Sequence, residues 1–468
     1  MLRNNLHAVP ATVKKNETSH PATGVATRLF EFCGMITHLF AKTRKRAENN
    51  SKHAKHYIHG LLSETPRKNS EAIADALEDT QEQDLQNFIS DSSWDHSDVF
   101  AHVAREANRC IGDHRETMLA VDESCFTKKG RFSAGVGRMY NGNLGKVDNC
   151  QVGVFSSLTN GSNATLIGAR LVIPDEWIKD EERCLKAGIP EDKIKAASKI
   201  DFARELIEQA DAHGVQYARI GLDSFYGRDI ALLCWIQDRG GEFYGDIPEN
   251  TYIWLDKPAG GKRPPSPAKH GAVKVSQLSN KKDAWRKSKR IKIRNGENGP
   301  VIVDSLVRRV WVWPADAGPP RQWWLLISKD KGGKIKHTLS NAPSNASQEQ
   351  LARHQGQRHF IERNFQNSKS HLGMADYQVR KWSGWHRHMA MVALAGLFVM
   401  EERMLNHKAL PLLSTRDVVQ ILDWYFRENP TLDSIIEQIE NRHHRRRRVS
   451  KSKIKISAKN ERKIAYEK

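Results

Sequence analysis

Residues 217–227 read Tyr-Ala-Arg-Ile-Gly-Leu-Asp-Ser-Phe-Tyr-Gly. The run Tyr217–Leu222 has the apolar texture of a buried strand and ends on Asp223. Gly227 then turns the chain into a helix expected from about Arg228 to Arg239. Upstream, Ser198 is placed to cap a helix whose Ile200, Ala203, Leu206, Ile207 and Ala210 form one stripe, and Gly214 ends it. Further back, Met118–Val121 is another short apolar run, and it ends on Asp122. A Lys128-Lys129-Gly130 turn and strand-like stretches at Ala134–Tyr140, Cys150–Thr159 and Ala164–Ile173 lie between these acids. Several strands, a helix, a strand and a helix make an α/β layout with a mixed sheet.

Outward from this centre the texture changes twice. From Ala26 to about Asp113 the pattern is helical, and residues 1–24 read as disordered. Between 245 and 345, Pro and Gly cluster at 258–271 and strand-like runs follow at Lys289–Ile293, Val301–Trp313, Gln322–Ser328 and Lys334–Leu339, which reads as a β-rich insertion. Helix returns from Gln348 through Leu372 and again across Trp385–Leu405. The expected organisation is a disordered N-terminus over 1–25, helices over 26–114 and an α/β core over 115–245 and 346–410. The insertion fills 246–345, further helices 411–440 and a basic tail 441–468.

The net charge of +19 is unevenly placed. Residues 256–294 carry 13 Lys or Arg against two Asp, and residues 441–468 carry 12 against two Glu, so the rest of the chain is slightly acidic. Concentrated cation of this kind suits a polyanion, through phosphate neutralisation and counterion release. Solvated basic stretches with no partner are the plainer alternative. The six cysteines are scattered with no CxxC pair, which points away from a zinc ribbon and towards a reducing, cytoplasmic setting. No apolar run reaches 18 residues, so no membrane span is expected.

Breaking a phosphodiester bond at neutral pH needs an activated oxygen nucleophile and charge relief at the leaving oxygen. Two divalent ions ~3.5–4 Å apart supply both. Hard ions such as Mg²⁺ take oxygen ligands, so such a site needs carboxylates delivered to one point by separate elements. Asp122 and Asp223 both follow strand-like runs, although either acid alone also fits a turn or a helix cap. Residues 355–373 read Gln-Gly-Gln-Arg-His-Phe-Ile-Glu-Arg-Asn-Phe-Gln-Asn-Ser-Lys-Ser-His-Leu-Gly. On one continuous helix, Gln355, Arg358, Glu362 and Lys369 fall within a sector of ~60°, beside an apolar stripe of Ile361, Phe365 and Leu372. A polar stripe bordering the packed face looks into a cleft, while Arg358 and Glu362 alone also suit an ordinary i,i+4 pair.

Three blocks of the chain resemble the insertion-sequence transposases with a DDE catalytic core of ribonuclease-H-like fold. The first is Asp122-Glu123-Ser124, then Lys128-Lys129-Gly130, Gly135-Val136-Gly137-Arg138 and Gly145-Lys146-Val147-Asp148-Asn149-Cys150-Gln151. The second is Asp223-Ser224-Phe225-Tyr226-Gly227. The third is the spacing of Arg358, Glu362 and Lys369, followed by Trp382-x2-Trp385-His386. The resemblance runs from about Tyr57 to Leu405 and is strongest to the subgroup with a β-rich insertion between the second Asp and the Glu. It implies a ribonuclease-H-like mixed sheet and a helical N-terminal domain. It also implies Asp122, Asp223 and Glu362 as catalytic ligands to two Mg²⁺ or Mn²⁺ ions.

The implied reaction is metal-dependent cleavage at transposon ends and strand transfer into target DNA. Arg358, Lys369, Lys128 and Lys129 would meet DNA, joined by Trp285, Arg286 and Lys287 in the insertion, where related transposases stack an aromatic on a flipped base. Double-stranded DNA, a homodimer on that DNA and a bacterial, nucleoid-associated cytoplasmic setting follow from the same resemblance. Two departures stand out: Gln355 replaces the family's usual Tyr, and Cys125 replaces a small residue. Glu123 competes with Asp122 as first ligand, but strand alternation sends the two side chains to opposite faces, and the resemblance selects Asp122. A transposase-derived DNA-binding protein and a metal nuclease that cuts without joining are the alternatives.

Overall fold

The computed structural model describes residues 24–426 apart from 41–43, 78, 113–114, 143, 259–270, 282, 297–298 and 315–317. The expected disordered N-terminus up to residue 23, most of the Pro/Gly cluster and the whole basic tail lie outside the described residues.

Five helices come first: α1 (Val25–Met35), α2 (Arg44–Leu61), α3 (Ser70–Ala76), α4 (Glu82–Ser90) and α5 (His96–Ile111). Asn69 and Asp95 cap α3 and α5 through their side chains, as their residue types favour. The chain then enters β1 (Thr117–Thr127), β2 (Gly137–Asn141), β3 (Lys146–Asn160) and β4 (Asn163–Leu171). Short helices α6 (Asp175–Ile178) and α7 (Glu181–Lys186) lead to α8 (Lys199–Ala212), where Ser198 and Asp201 form a capping box. Then come β5 (Arg219–Leu222), α9 (Ser224–Gly227), α10 (Ile230–Asp238) and β6 (Phe243–Ile247).

These strands lie in the order β4-β3-β1-β5-β6, with β3 antiparallel to β1 and to β4, and β1, β5 and β6 mutually parallel. That order and those directions are the ribonuclease-H-like sheet. β2 pairs with the first part of β3, beside β4.

The insertion contributes β7 (Tyr252–Ile253), β8 (Val273–Lys274), α11 (Val275–Ser279), β9 (Lys289–Gly296), β10 (Gly299–Val312), β11 (Arg321–Lys329) and β12 (Ile335–Ser340). Its four long strands do not make a separate sheet. β12 pairs antiparallel with β6, and β11, β10 and β9 follow outward, so one ten-stranded sheet spans core and insertion. Three of the insertion's tryptophans, Trp254, Trp313 and Trp323, are buried in the interior.

After the insertion come α12 (Gln348–Gln357), α13 (His359–His371), α14 (Trp382–Leu405) and α15 (Thr415–Phe426). α14 is buried on nearly every side because it threads between β4 and the N-terminal helices α2, α4 and α5. This accounts for its all-round apolar sequence. Among the described residues no helix is long and apolar enough to cross a membrane.

Two expectations need correction. β1 does not end at Val121 but continues to Thr127, because its second half pairs with β3 all the way from Asp122 to Thr127. The segment 355–373 is not one helix: it breaks at Arg358, where three carboxylates hold the side chain. A smaller difference is that the strand expected over Ala134–Tyr140 starts only at Gly137.

Candidate active site

Register places the first two acids. Val121 on β1 lies opposite Leu222 on β5, and the parallel pairing stops there. Asp122 is the next residue of β1 and Asp223 the residue just past β5, so they follow equivalent points of strands ~4.8 Å apart. The same row continues. Leu222 lies opposite Gly245 on β6, which makes Asp246 the third acid in line.

Each acid has a different setting. Asp122 is buried; its Oδ1 accepts from the Glu123 backbone N–H at 2.7 Å and its Oδ2 from Arg358 Nη1 at 3.1 Å. Asp223 caps α9, with Oδ1 accepting from the backbone N–H groups of Phe225 at 2.9 Å and Tyr226 at 3.1 Å. Asp246 is buried and accepts from Thr338 Oγ1 at 2.6 Å and Arg358 Nε at 3.0 Å, with Lys336 Nζ 2.8 Å from its Oδ2. Glu362, on the first turn of α13, is half exposed and receives Arg358 Nη2 at 2.5 Å. Glu123 is elsewhere, paired with Lys199 of α8 at 2.6 Å.

Arg358 is thus the hub. Its planar fork reaches three carboxylates from three elements. Burial opposes the guanidinium charge, but Asp246, Asp122, Glu362 and Asp223 overcome it and hold the group firmly protonated. Asp122 goes the other way. Burial lifts its carboxyl to about 7, Asp223 and Glu362 add to the rise, and Arg358 opposes it. For Glu362, burial is outweighed by the hydrogen bond from His359 and the charges of Arg358 and Lys336, which bring it down to about 2.

The carboxylates gather around Arg358 rather than around a shared point. Among the described residues, no three His, Cys, Asp or Glu side chains stand close enough together to hold an ion. The donor chemistry still fits a hard divalent cation. Asp122, Asp223 and Glu362 offer oxygen only, feel one another's charge, and have a cation, the guanidinium, drawn in among them. A cleft of about 450 Å³ opens beside them, lined in part by Asp223, Asp246, Glu249, Lys336 and Arg358.

The expected DNA-contacting residues are dispersed. Lys369 lies at the rim of β1, its Nζ 3.4 Å from the Cys125 carbonyl and above the Phe126 ring, and burial lowers its pKa. Lys128 is pinned on the Tyr377 ring and carbonyl, and burial brings its amine down to about 8. Asn149 explains part of the block 145–151, because its side-chain amide donates to the carbonyls of Lys128 and Gly130 and so shapes that turn. Lys129 is exposed. In the insertion, Trp285 is half buried and tied by its indole N–H to the Ser279 carbonyl at 2.8 Å, while Arg286 and Lys287 are exposed. His386 and His388 are not a ligand pair: His388 is held by the Tyr57 hydroxyl and the Gly373 carbonyl, and His386 by the Trp382 carbonyl.

Sequence reasoning missed Asp246, Thr338 and Lys336. Asp246 carried the same cue as the other acids, since it follows the apolar run Phe243-Tyr244-Gly245. Thr338 and Lys336 carried none, because their part depends on how β12 docks against β6.

Comparison with known proteins settles the family. A family profile described as DDE superfamily endonuclease matches residues 35–300, more than half of the chain. The chain belongs to the DDE superfamily endonucleases. Asp122, Asp223 and Asp246 lie inside the matched residues, and Glu362 lies beyond them. A protein named as a probable transposase for insertion sequence element IS701, from Microchaete diplosiphon, is 30% identical over 208 residues. That match covers 44% of this chain and half the length of the relative.

Proposed function

We propose that this DDE superfamily chain is a DNA transposase, which cuts at the ends of its own element and joins the freed ends to target DNA. The observation that carries the reading is the register of β1 against β5, which sets Asp122 beside Asp223, with Glu362 tied to the same place through Arg358. The IS701-related sequence supports the transposase class.

On this reading Asp122, Asp223 and Glu362 would hold two Mg²⁺ or Mn²⁺ ions, which would supply activation of the attacking oxygen and charge relief on the leaving one. The protein supplies position. Asp223 is fixed by two backbone N–H groups, so one face of its carboxylate is set before any substrate arrives. Arg358 and Lys369 hold phosphate oxygens, and Lys128 and Lys129, on a separate turn, meet DNA further along. In the first step water attacks the scissile phosphorus and its bond to the 3′ oxygen breaks, leaving a 3′-OH and a 5′-phosphate. In the second, that 3′-OH gives up its proton and attacks a target phosphorus in line, and the target strand's own 3′ oxygen leaves and is protonated. The sheet core and α13 carry the chemistry, the insertion borders the cleft, and the basic segments 256–294 and 441–468 hold duplex DNA. A homodimer bringing two ends together fits this sequence of steps.

The test is to incubate the purified chain with its element's own ends, target DNA and Mg²⁺ or Mn²⁺. Cleaved ends and joined products support the reading. Cleavage without joined products identifies a nuclease, and binding without either reaction identifies a DNA-binding derivative.

A further inference from the structure

Asp246 is the best-bonded carboxylate of the row and the one least available to an ion. Its Oδ1 is taken by the Thr338 hydroxyl at 2.6 Å, and its Oδ2 is shared by Arg358 Nε at 3.0 Å and Lys336 Nζ at 2.8 Å. The chain of donors extends further. Gln355 is buried and donates from Nε2 to Thr338 Oγ1 at 2.8 Å, so a relay runs from Gln355 through Thr338 and Asp246 to Arg358. Thr338 sits directly opposite Asp246 in the antiparallel pairing of β12 with β6, so the insertion's own strand completes the anchor.

The three edges of the Arg358 fork have different partners: Nε meets Asp246, Nη1 meets Asp122 and Nη2 meets Glu362. We propose that Asp246 is a positioning residue for the reaction, gripping Arg358 by Nε so that both Nη groups stay aimed at the place where Asp122 and Glu362 work. The inference rests on the reading of Asp122, Asp223 and Glu362 as the active site. Without divalent ions, the two Nη groups neutralise Asp122 and Glu362. Divalent ions on those carboxylates would free the Nη donors while Nε stays anchored to Asp246, and the freed donors would face the substrate phosphate already oriented. A lysine has no such fork and could not keep one bond while redirecting the others. Preorganised donors of this kind cost no rearrangement at the moment of reaction.

The full-length chain is compared with Asp246→Asn, Thr338→Val, Arg358→Gln, the Asp246→Asn/Arg358→Gln double variant and Asp122→Asn. Three properties are followed: melting temperature, Mn²⁺ binding by calorimetry without DNA, and cleavage of end DNA at saturating DNA. Asp246→Asn and Thr338→Val are expected to cut about tenfold more slowly with little change in KM for DNA, as for a displaced catalytic donor. Adding Asp246→Asn to Arg358→Gln is expected to cost no more than about twofold further, since both changes remove one unit. Arg358→Gln is expected to bind Mn²⁺ more tightly than wild type, because it removes the competing cation. In that background Asp246→Asn should leave Mn²⁺ affinity within about twofold.

Full additivity of the two losses in cleavage overturns the proposal. So does a large fall in Mn²⁺ affinity on adding Asp246→Asn to Arg358→Gln, which would make Asp246 a ligand. If Asp246→Asn does not fold, Thr338→Val decides, and wild-type cleavage by that variant overturns the proposal. Wild-type cleavage by Asp122→Asn instead overturns the site assignment itself. An inactive Asp122→Asn beside a fully active Asp246→Asn overturns only the anchor.

Discussion

Val121 and Leu222 face each other as the last rung between β1 and β5, and the acids that follow them, Asp122 and Asp223, are therefore neighbours although 101 residues separate them. Two carboxylates side by side where the β1–β5 pairing stops repel each other, and a cation between them relieves that repulsion. Asp122→Asn, Asp223→Asn and Glu362→Gln keep shape and remove charge. Each is expected to reduce strand cleavage about 10³-fold or more while end binding stays near wild type. Double substitutions should be no worse than singles, because residues acting as one catalytic unit are not additive. A single variant that cleaves within tenfold of wild type in a gel assay would falsify its place in the triad.

The raised pKa of Asp122 gives a pH dependence with a definite sign. At about 7, its carboxyl is protonated over a range where an ordinary aspartate is charged. That proton must leave before the group can ligate, so divalent-ion affinity should climb with pH up to about 7 and level off above it. The same proton stabilises the ion-free fold: the contribution is complete below the unfolded-state value near ~4 and is lost as pH rises through about 7. Calorimetry of Mn²⁺ binding in buffers of differing ionisation heat should show proton release below pH 7. An affinity independent of pH across that range would contradict the burial argument.

Much of this arrangement was readable before folding. The strand ending in Asp223, the strand-like run before Asp122, the helix capped by Ser198 and the β-rich character of 245–345 all rest on local periodicity and capping, which act within a few residues. Three things were not readable, for one shared reason. That β12 joins β6 to make the insertion part of the same sheet, that Thr338 falls opposite Asp246, and that Arg358 turns inward to three carboxylates are all consequences of pairing between distant segments. Helical spacing put Arg358 and Glu362 on one stripe facing a cleft, but it carried no sign of the carboxylates from β1 and β6 that the guanidinium also meets.

Lys369 offers a cleaner test of phosphate holding than Arg358, because among the described residues it is paired with no carboxylate of the site. Its ammonium lies over Phe126 at the rim of β1, with burial lowering its pKa. Lys369→Ala is expected to slow cleavage by about tenfold, the order expected for a lost positioning contact, while the Mn²⁺ concentration giving half-maximal rate stays put. A shift mainly in that concentration would show that Lys369 acts on the carboxylate site and not on DNA.

The tail carries its prediction in charge alone. Residues 441–468 hold 12 basic residues against two acidic ones. Removing them should weaken binding to any duplex and flatten the fall of log K with log salt, because fewer counterions are released. Filter-binding or anisotropy titrations at several salt concentrations measure this, and an unchanged slope would remove the tail from DNA binding.

Gly227 shows how closely the second acid's turn is packed on the third strand. It closes α9, four residues after Asp223, and a Cβ there would sit inside contact distance of the Asp246 carbonyl oxygen and the Gly245 backbone. Backbone cannot step aside as a flexible side chain can, so Gly227→Ala must push α9 off β6. Overpacking of this sort costs ~1–3 kcal/mol, which should lower the melting temperature by several degrees. The displacement falls between Asp223 and Asp246, so cleavage should drop by more than the loss of folded protein explains. Gly34, in the exposed part of α1, is the matched control: a Cβ there meets nothing within 4 Å. Gly34→Ala should be neutral or slightly stabilising, since glycine is a poor helix former. Equal melting temperatures and equal cleavage rates for the two variants would show that α9 and β6 can separate without consequence, and that the row of Asp122, Asp223 and Asp246 does not depend on this contact.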